Sequence, residues 1–308
     1  MYMKLLSTYK NGNYFVDIFD DGTKIRRNNA DSLEPSFSES IDCKITDYCD
    51  VGCDFCYENS TTFGKHADIL NTSFFDTIHP YTEIALGGGS PILHPDIVPF
   101  LEKLKSKNVL PSITINQKHF IEKYQFIKDL VDRKLIYGVG VSISSVNNEL
   151  IDKLKIIPNV VVHVIAGIFN QELCEKLTGQ NLKMLILGYK NLGRGAFKSK
   201  TESELLIMES NMSWLKLNLK QIMNQHSFLA LCFDNLALEQ LHVKEIIGSE
   251  KWESFYMGDD GSYTFFVDLV EGKFCKSSIS HDRYDMYSFE NNIDAMFLKI
   301  KPKKMLTC

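Results

Sequence analysis

The chain has 308 residues, 44% apolar and 24% charged, with a formal net charge of −5. These values exclude a disordered or collagen-like chain and allow one large domain or two ordinary ones around a real core. The acidic balance weighs against a protein whose main task is gripping a nucleic-acid backbone, and the longest apolar stretch, 160–169, contains His163 and falls far short of the roughly 20 residues of a membrane span.

The N-terminus, MYMKLLSTYKNGNYF, lacks the apolar core and cleavage site of a signal peptide, so a cytoplasmic protein is expected. Residues 1–40 alternate apolar and polar around Asn11-Gly12-Asn13 and Asp20-Asp21-Gly22, which predicts an N-terminal β-meander. From residue 41 the pattern changes to short β-branched runs at 41–46, 83–86, 112–116, 138–143, 160–165 and 184–187, with helical stretches between them. Ile97, Phe100, Leu101 and Leu104 share one helical face behind Pro95. Phe120, Tyr124, Ile127 and Val131 repeat that spacing, and Leu150, Ile151 and Leu154 mark a shorter helix. Six βα units over 41–200 predict an α/β fold with a parallel sheet, doubly wound or curled into a barrel. A longer helix over 202–225 would turn Leu205, Met208, Met212, Leu215, Leu219 and Ile222 inward, and 262–274 reads as a hairpin turning near Glu271-Gly272. No linker sets the end apart, so 201–308 is expected to be this helix and a small αβ C-terminal cap.

Eight cysteines in a chain of this size without an export signal point to thiols in a reducing compartment. Cys43, Cys174, Cys232, Cys275 and Cys308 are scattered, whereas Cys49, Cys53 and Cys56 fall in one CxxxCxxC loop just after the run 41–46. Three thiolates so spaced can hold three irons of a [4Fe-4S] cluster and leave the fourth open for chemistry. The alternatives are a zinc site, which wants four ligands and would recruit Cys43, and a four-cysteine electron-transfer cluster. Cys43 itself, inside a predicted strand, reads as a core thiol.

Further motifs follow the later strands: Gly87-Gly88-Gly89-Ser90-Pro91, Thr114-Ile115-Asn116-Gln117, Ser142-Ile143-Ser144-Ser145, Ile165-Ala166-Gly167-Ile168 and Leu187-Gly188-Tyr189. Glycines let a ligand approach the backbone, and short hydroxyl and amide side chains hydrogen-bond polar ligands. Taken singly each is an ordinary loop. All of them fall at carboxyl ends of predicted strands, the face on which parallel βα barrels build active sites.

With Phe55 just before its last cysteine, the loop resembles the signature of the radical S-adenosylmethionine superfamily, and the resemblance covers roughly 40–190. It implies a partial (β/α)6 TIM-type barrel at 41–200, one [4Fe-4S] cluster on Cys49, Cys53 and Cys56, and S-adenosylmethionine on the open iron. Reductive cleavage would give a 5'-deoxyadenosyl radical that takes hydrogen from a substrate, with a flavodoxin-like reductase as electron donor. The cofactor contacts implied are Phe55, Gly87, Gly88, Gly89, Ser90, Asn116, Ser142, Ser144, Gly167, Leu187 and Tyr189. Ser90 stands where the family often has Glu, which shifts amino-group recognition to carbonyls near Gly88 and Gly89. Arg194, between two glycines, is a candidate for gripping a carboxylate bidentately, with a solvated loop as the plain alternative.

The stretch Phe233-Asp234-Asn235-Leu236, the segment 258–268 and Cys275 resemble a SPASM-type cap in which Leu236 and Gly258 replace cluster cysteines, so a second cluster on Cys232, Cys275 and Cys308 is not expected. This remnant tilts the substrate toward a peptide side chain or backbone, with post-translational modification as the outcome; the expected partner is a peptide or small-molecule substrate. The alternatives are a nucleoside, nucleotide or nucleic acid, suggested by the basic stretch after Leu192, and, in another class, a non-catalytic iron-sulfur or zinc sensor. No individual catalytic residue is assigned.

Overall fold

The computed structural model describes residues 3–30 and 32–302; Cys308 lies outside them. The predicted meander is a three-stranded antiparallel sheet, β1 (Leu5–Asn11), β2 (Tyr14–Phe19) and β3 (Lys24–Arg27). The six expected strands are all present: β4 (Ser40–Thr46), β5 (Glu83–Gly88), β6 (Leu110–Asn116), β7 (Gly138–Ser142), β8 (Val160–Ile165) and β9 (Lys183–Leu187). They pair in parallel in chain order. Four more strands join the same sheet. β10 (Ala230–Phe233) lies parallel beside β9, and β11 (Thr264–Asp268) lies parallel beside β4 on the other side. β12 (Lys273–Cys275) and β13 (Tyr284–Asp285) continue antiparallel, the first closing the expected hairpin with β11. The result is a mixed α/β fold around one large, mostly parallel sheet, with β10 and β13 at its edges.

One face of this sheet is covered by helices, and alternation along each strand decides what goes there. Ile41, Cys43 and Ile45 of β4 are buried with Ile84, Leu86, Val139, Val141, Val162 and Val164 in the main core. The helices that supply the other half are α1 (Ile97–Ser106), α2 (Gln117–Glu122), α3 (Tyr124–Asp132), α4 (Asn148–Ile156), α5 (Gln171–Leu177) and α6 (Glu202–Asn224). α7 (Asn235–Gln240), α8 (Val243–Ile247), α9 (Ser249–Phe255) and α10 (Ile293–Ile300) follow. The opposite face carries Asp42, Ala85, Gly87, Ser112, Thr114, Gly138 and Gly140; the space beside Gly87 is open, whereas that beside Gly140 is filled by the His163 ring of β8.

Two helices differ from the sequence pattern. The repeat through Phe120 and Tyr124 is two helices broken at Lys123, so that α2 buries His119 and Phe120 at the end of β6 while α3 buries Ile127 and Leu130. In α6 only Leu215, Leu219 and Ile222 are buried. Leu205, Met208 and Met212 are half-buried because this half of the helix reaches the end of β8, where Met208 and Met212 meet Gly167.

The meander sits at the amino ends of the strands. Asn159 Nδ2 donates to the Asp20 carbonyl at 2.9 Å, and a cavity of about 260 Å³ lined by Asp21, Glu83, Ser112, Asn159 and Lys183 lies beneath it. Glu39, 0% exposed, ties meander to sheet: it accepts from Tyr14 Oη at 2.5 Å and from Arg26 Nε and Nη2 at 2.9 and 2.8 Å. Burial alone would raise its carboxyl, but Arg26 and Lys24 hold it below the usual range. Among the described residues no helix is long and apolar enough to cross a membrane.

Candidate functional site

The loop after β4 carries the three cysteines and is folded back on the strand that launches it. Asp47 N–H donates to Lys65 O, Cys49 N–H to Thr61 O, and Ala67 N–H to Ile45 O. Cys49, Cys53 and Cys56 are free and half-buried. Burial pushes the Cys49 and Cys53 thiols up, and the neighbouring cysteines add to this in both cases. The three sulfurs therefore feel one another's charge.

The outside of the loop is held by the segment after β9. Arg194 Nε donates to Cys53 O at 3.0 Å, its Nη1 to Ser60 O at 2.9 Å, and its own N–H to Cys56 O at 3.0 Å. Lys200 Nζ adds a bond to Asp54 O at 2.7 Å. Gly193 has φ +55°, and a Cβ there would stand 2.5 Å from Tyr57 O, so the segment approaches the loop as closely as backbone allows. Arg194 was a candidate for carboxylate binding; the structure places it as a strap on the carbonyls of the cysteine loop.

The glycine turn lies beside the loop. Gly88 has φ +106°, and a Cβ on it would meet Thr46 O at 2.3 Å. Gly89 N–H donates to Thr46 O and Ser90 N–H to Tyr48 O, both at 2.7 Å. Gly87 has open space where its side chain would be. Ser90 is 2% exposed, behind the turn, with its hydroxyl on His119. Asn116, the N-cap of α2, directs Nδ2 at Cys53 Sγ at 3.6 Å. Gln117 accepts from Ser144 N–H at 2.8 Å and donates to the Ser145 hydroxyl at 2.8 Å, joining the ends of β6 and β7.

The remaining sites expected from the sequence spread along the same edge. Ser142 ends β7 and Ser144 is exposed beyond it. The Gly167 carbonyl accepts from Asn211 of α6 at 3.0 Å. Leu187 is half-buried at the end of β9. Tyr189 is 4% exposed and engaged inward, its hydroxyl on Gly195 O at 2.7 Å and its backbone on Gln240. Phe55, directly before Cys56, is half-buried.

Beside the loop, on the face without helices, is a charged group that sequence reasoning did not assemble. Lys44 is buried and pairs with Asp47, Glu58 and Asp268 at 2.7, 2.9 and 3.1 Å. Lys190 Nζ donates to Ser278 Oγ at 2.8 Å and lies 3.8 Å over the Tyr57 ring. Burial lowers the Lys190 ammonium against the pull of Asp234, Asp42, Glu58 and Asp260. Burial raises Asp42 to about 6, with Lys190 opposing and Asp260 and Asp234 adding. Asn235 Nδ2 joins this group to the segment before β11 through Asp260 Oδ1 at 2.7 Å. Asp234, Asp260 and Asp268 belong to the cap-like segments singled out in the sequence, but their meeting with Asp42, Lys44 and Lys190 is shown only by the topology. Asp50 and His119 were missed too, although an acid between cysteines and a histidine just after the Asn116 turn were visible.

Among the described residues no three Cys, His, Asp or Glu side chains gather as around one metal ion. A four-iron cluster asks only that each thiolate reach its own iron. Three free, mutually interacting thiols on a strapped loop, with an amide directed at one sulfur, fit that group.

No family profile matches the chain. In sequence, 116 residues, 36% of the chain, align at 24% identity with GTP 3',8-cyclase of Saccharophagus degradans, covering 34% of that protein. In fold, Streptococcus suis SuiB bound to precursor peptide SuiA matches 86% of this chain and 65% of its own, with a TM-score of 0.54 and 15% identity. SuiB bound to S-adenosylmethionine matches 83% and 64%, with 0.53 and 15%. The fold is similar to that of SuiB, and the cysteine loop resembles the radical S-adenosylmethionine signature. The chain spans about a third of the curated relative and under two thirds of SuiB. The likeness to SuiB extends over most of the chain, whereas the cyclase match is local.

Proposed function

We infer that the protein is a radical S-adenosylmethionine enzyme that modifies a peptide. The observation that carries this is the strapped three-cysteine loop at the carboxyl end of β4, beside the glycine turn of β5. A sheet covered by helices on one face, with small and polar residues on the other, supports its curling into the partial (β/α)6 barrel, with the meander at 1–40, the core at 41–200 and the cap at 201–308. A [4Fe-4S] cluster on Cys49, Cys53 and Cys56 supplies, with bound S-adenosylmethionine, a 5'-deoxyadenosyl radical for hydrogen abstraction.

The chain's own residues then have definite tasks. Arg194 and Lys200 hold the loop carbonyls, so the thiolates keep their spacing without a fourth ligand. The Asn116 amide donates to Cys53 sulfur and draws charge from it, which favours the reduced state. Gly87, Gly88, Gly89, Ser142, Ser144, Gly167 and Leu187 line the carboxyl edge available to S-adenosylmethionine. Asp42, Lys190, Asp234 and Asp260 form the charged group on the face without helices, where a substrate's polar groups would be held. Burial raises the Asp42 carboxyl to about 6, with Lys190 opposing the shift.

A peptide substrate rests on the fold likeness to SuiB, whose structure holds a precursor peptide, over 86% of this chain. The local match to GTP 3',8-cyclase favours a nucleotide, over 36%. The test is to supply the anaerobically reconstituted protein with S-adenosylmethionine, dithionite and a short peptide encoded beside its gene. The peptide reading expects faster 5'-deoxyadenosine release and a changed peptide mass. An unchanged peptide, with conversion of a nucleoside triphosphate instead, overturns it.

A further inference from the structure

The cysteine loop and the glycine turn come from different strands, yet a single buried side chain stands between them. His119, 1% exposed, lies on α2, the helix that begins at Asn116. Its Nε2 is 2.6 Å from Asp50 Oδ1 inside the cysteine loop. Its Nδ1 is 2.9 Å from Ser90 Oγ in the glycine turn. A carboxylate only accepts, so Nε2 carries the proton toward Asp50; in the neutral ring Nδ1 then accepts from the Ser90 hydroxyl, and in the charged ring it donates to it. Both ring nitrogens are used, one on Ser90 and one on Asp50.

We propose that His119 is a positioning residue that locks the cysteine loop onto the glycine turn, so that the two cofactor-facing loops keep one fixed relation. Backbone bonds reinforce the lock on the near side, from Gly89 N–H to Thr46 O and from Ser90 N–H to Tyr48 O. The side-chain relay reaches further, to the residue directly after Cys49. It gives Ser90 a task that does not need contact with a ligand, in keeping with its burial behind the turn. It also explains why α2 is short: breaking at Lys123 lets its single buried turn deliver His119 and Phe120 to the end of β6. The functional consequence for cluster retention rests on the reading of the site given above.

The test compares wild type with His119→Phe, which keeps a ring but loses both bonds, with His119→Gln, and with Ser90→Ala. In the metal-free chain, amide hydrogen exchange at Gly89 and Ser90 is expected to accelerate about tenfold in His119→Phe, together with the amides of 47–53. His119→Gln, which restores one of the bonds, is expected to recover part of the loss. In reconstituted protein, an iron chelator should strip the cluster about tenfold faster from His119→Phe, and the double variant with Ser90→Ala should be no worse than His119→Phe alone. The change in the reduced cluster's electron paramagnetic resonance on adding S-adenosylmethionine should shrink in the same order. Exchange at the two loops that stays at wild-type rates, or accelerates in one loop alone, overturns the lock. Exchange that accelerates in both loops with no cluster taken up even by wild type upholds the lock and overturns the proposed function instead.

Discussion

The two ends of the parallel strands treat charge in opposite ways. At the amino ends, Glu39 is buried and closed off by Arg26, Lys24 and Tyr14, and Lys24 continues to Glu83 at 2.5 Å. On the other side, Lys190 and Asp234 follow the carboxyl ends of β9 and β10 and interact electrostatically with Asp260 and with Asp42 partway along β4; Asp42 and Asp234 are raised and Lys190 lowered. A closed network holds structure together, whereas groups kept away from their ordinary protonation are what a reacting site needs. On the proposed function, stability belongs to the amino ends and chemistry to the carboxyl ends, as in other parallel βα folds.

Substitutions at the two ends should therefore separate function from stability. The largest effect is expected at the carboxyl end. Cys53→Ala should abolish 5'-deoxyadenosine formation, at least 100-fold below wild type, while the thermal midpoint of the metal-free chain stays within about 2 °C. At the amino end Glu39→Ala should do the reverse. It leaves Arg26 buried without its partner and should cost about 3–5 kcal/mol in denaturant unfolding, with iron uptake per folded chain unchanged. A Glu39→Ala protein that melts normally would dissolve the contrast.

Gly88 sits where the two requirements meet. Gly88→Ala places a methyl against Thr46 O at a φ of +106°, and about 2 kcal/mol of lost stability is expected in unfolding, together with weaker S-adenosylmethionine binding. The smallest effect sharpens the account of strained charge. Asp42 titrates near 6 in the folded chain and near its ordinary 3.8 when unfolded. Its contribution to stability is therefore present at low pH and lost as pH rises through 6. Asp42→Asn should raise the thermal midpoint by on the order of 2 °C at pH 8, and the gain should fade as pH falls from 6 toward 4. A gain independent of pH would show that charge is not its cause.

Local pattern made much of this legible. The six strands were readable because β-branched runs alternated with helical spacing, and the meander because Asn-Gly and Asp-Gly turns flanked alternating residues. The cysteine loop and Gly87-Gly88-Gly89 stand out as candidates because each is a run of near-adjacent residues. What stayed hidden depends on distant parts of the chain meeting. The joining of β11 to β4 brings residue 266 beside residue 42, and no local pattern encodes it. Arg194 looked available for a carboxylate because its partners, the carbonyls of Cys53 and Ser60, have no sequence signal. The break at Lys123 escaped for a related reason: helical periodicity continues through it, and only the burial of His119 shows that the two halves answer to different surfaces.

The most direct measurement of the central claim is anaerobic reconstitution with iron and sulfide, followed by S-adenosylmethionine and dithionite, with iron counted per chain and 5'-deoxyadenosine read by mass spectrometry. The account predicts about four irons per chain and 5'-deoxyadenosine formation, both lost when Cys49, Cys53 and Cys56 are all changed to Ala. Zinc in place of iron, or a cluster that leaves S-adenosylmethionine intact under reduction, would contradict it.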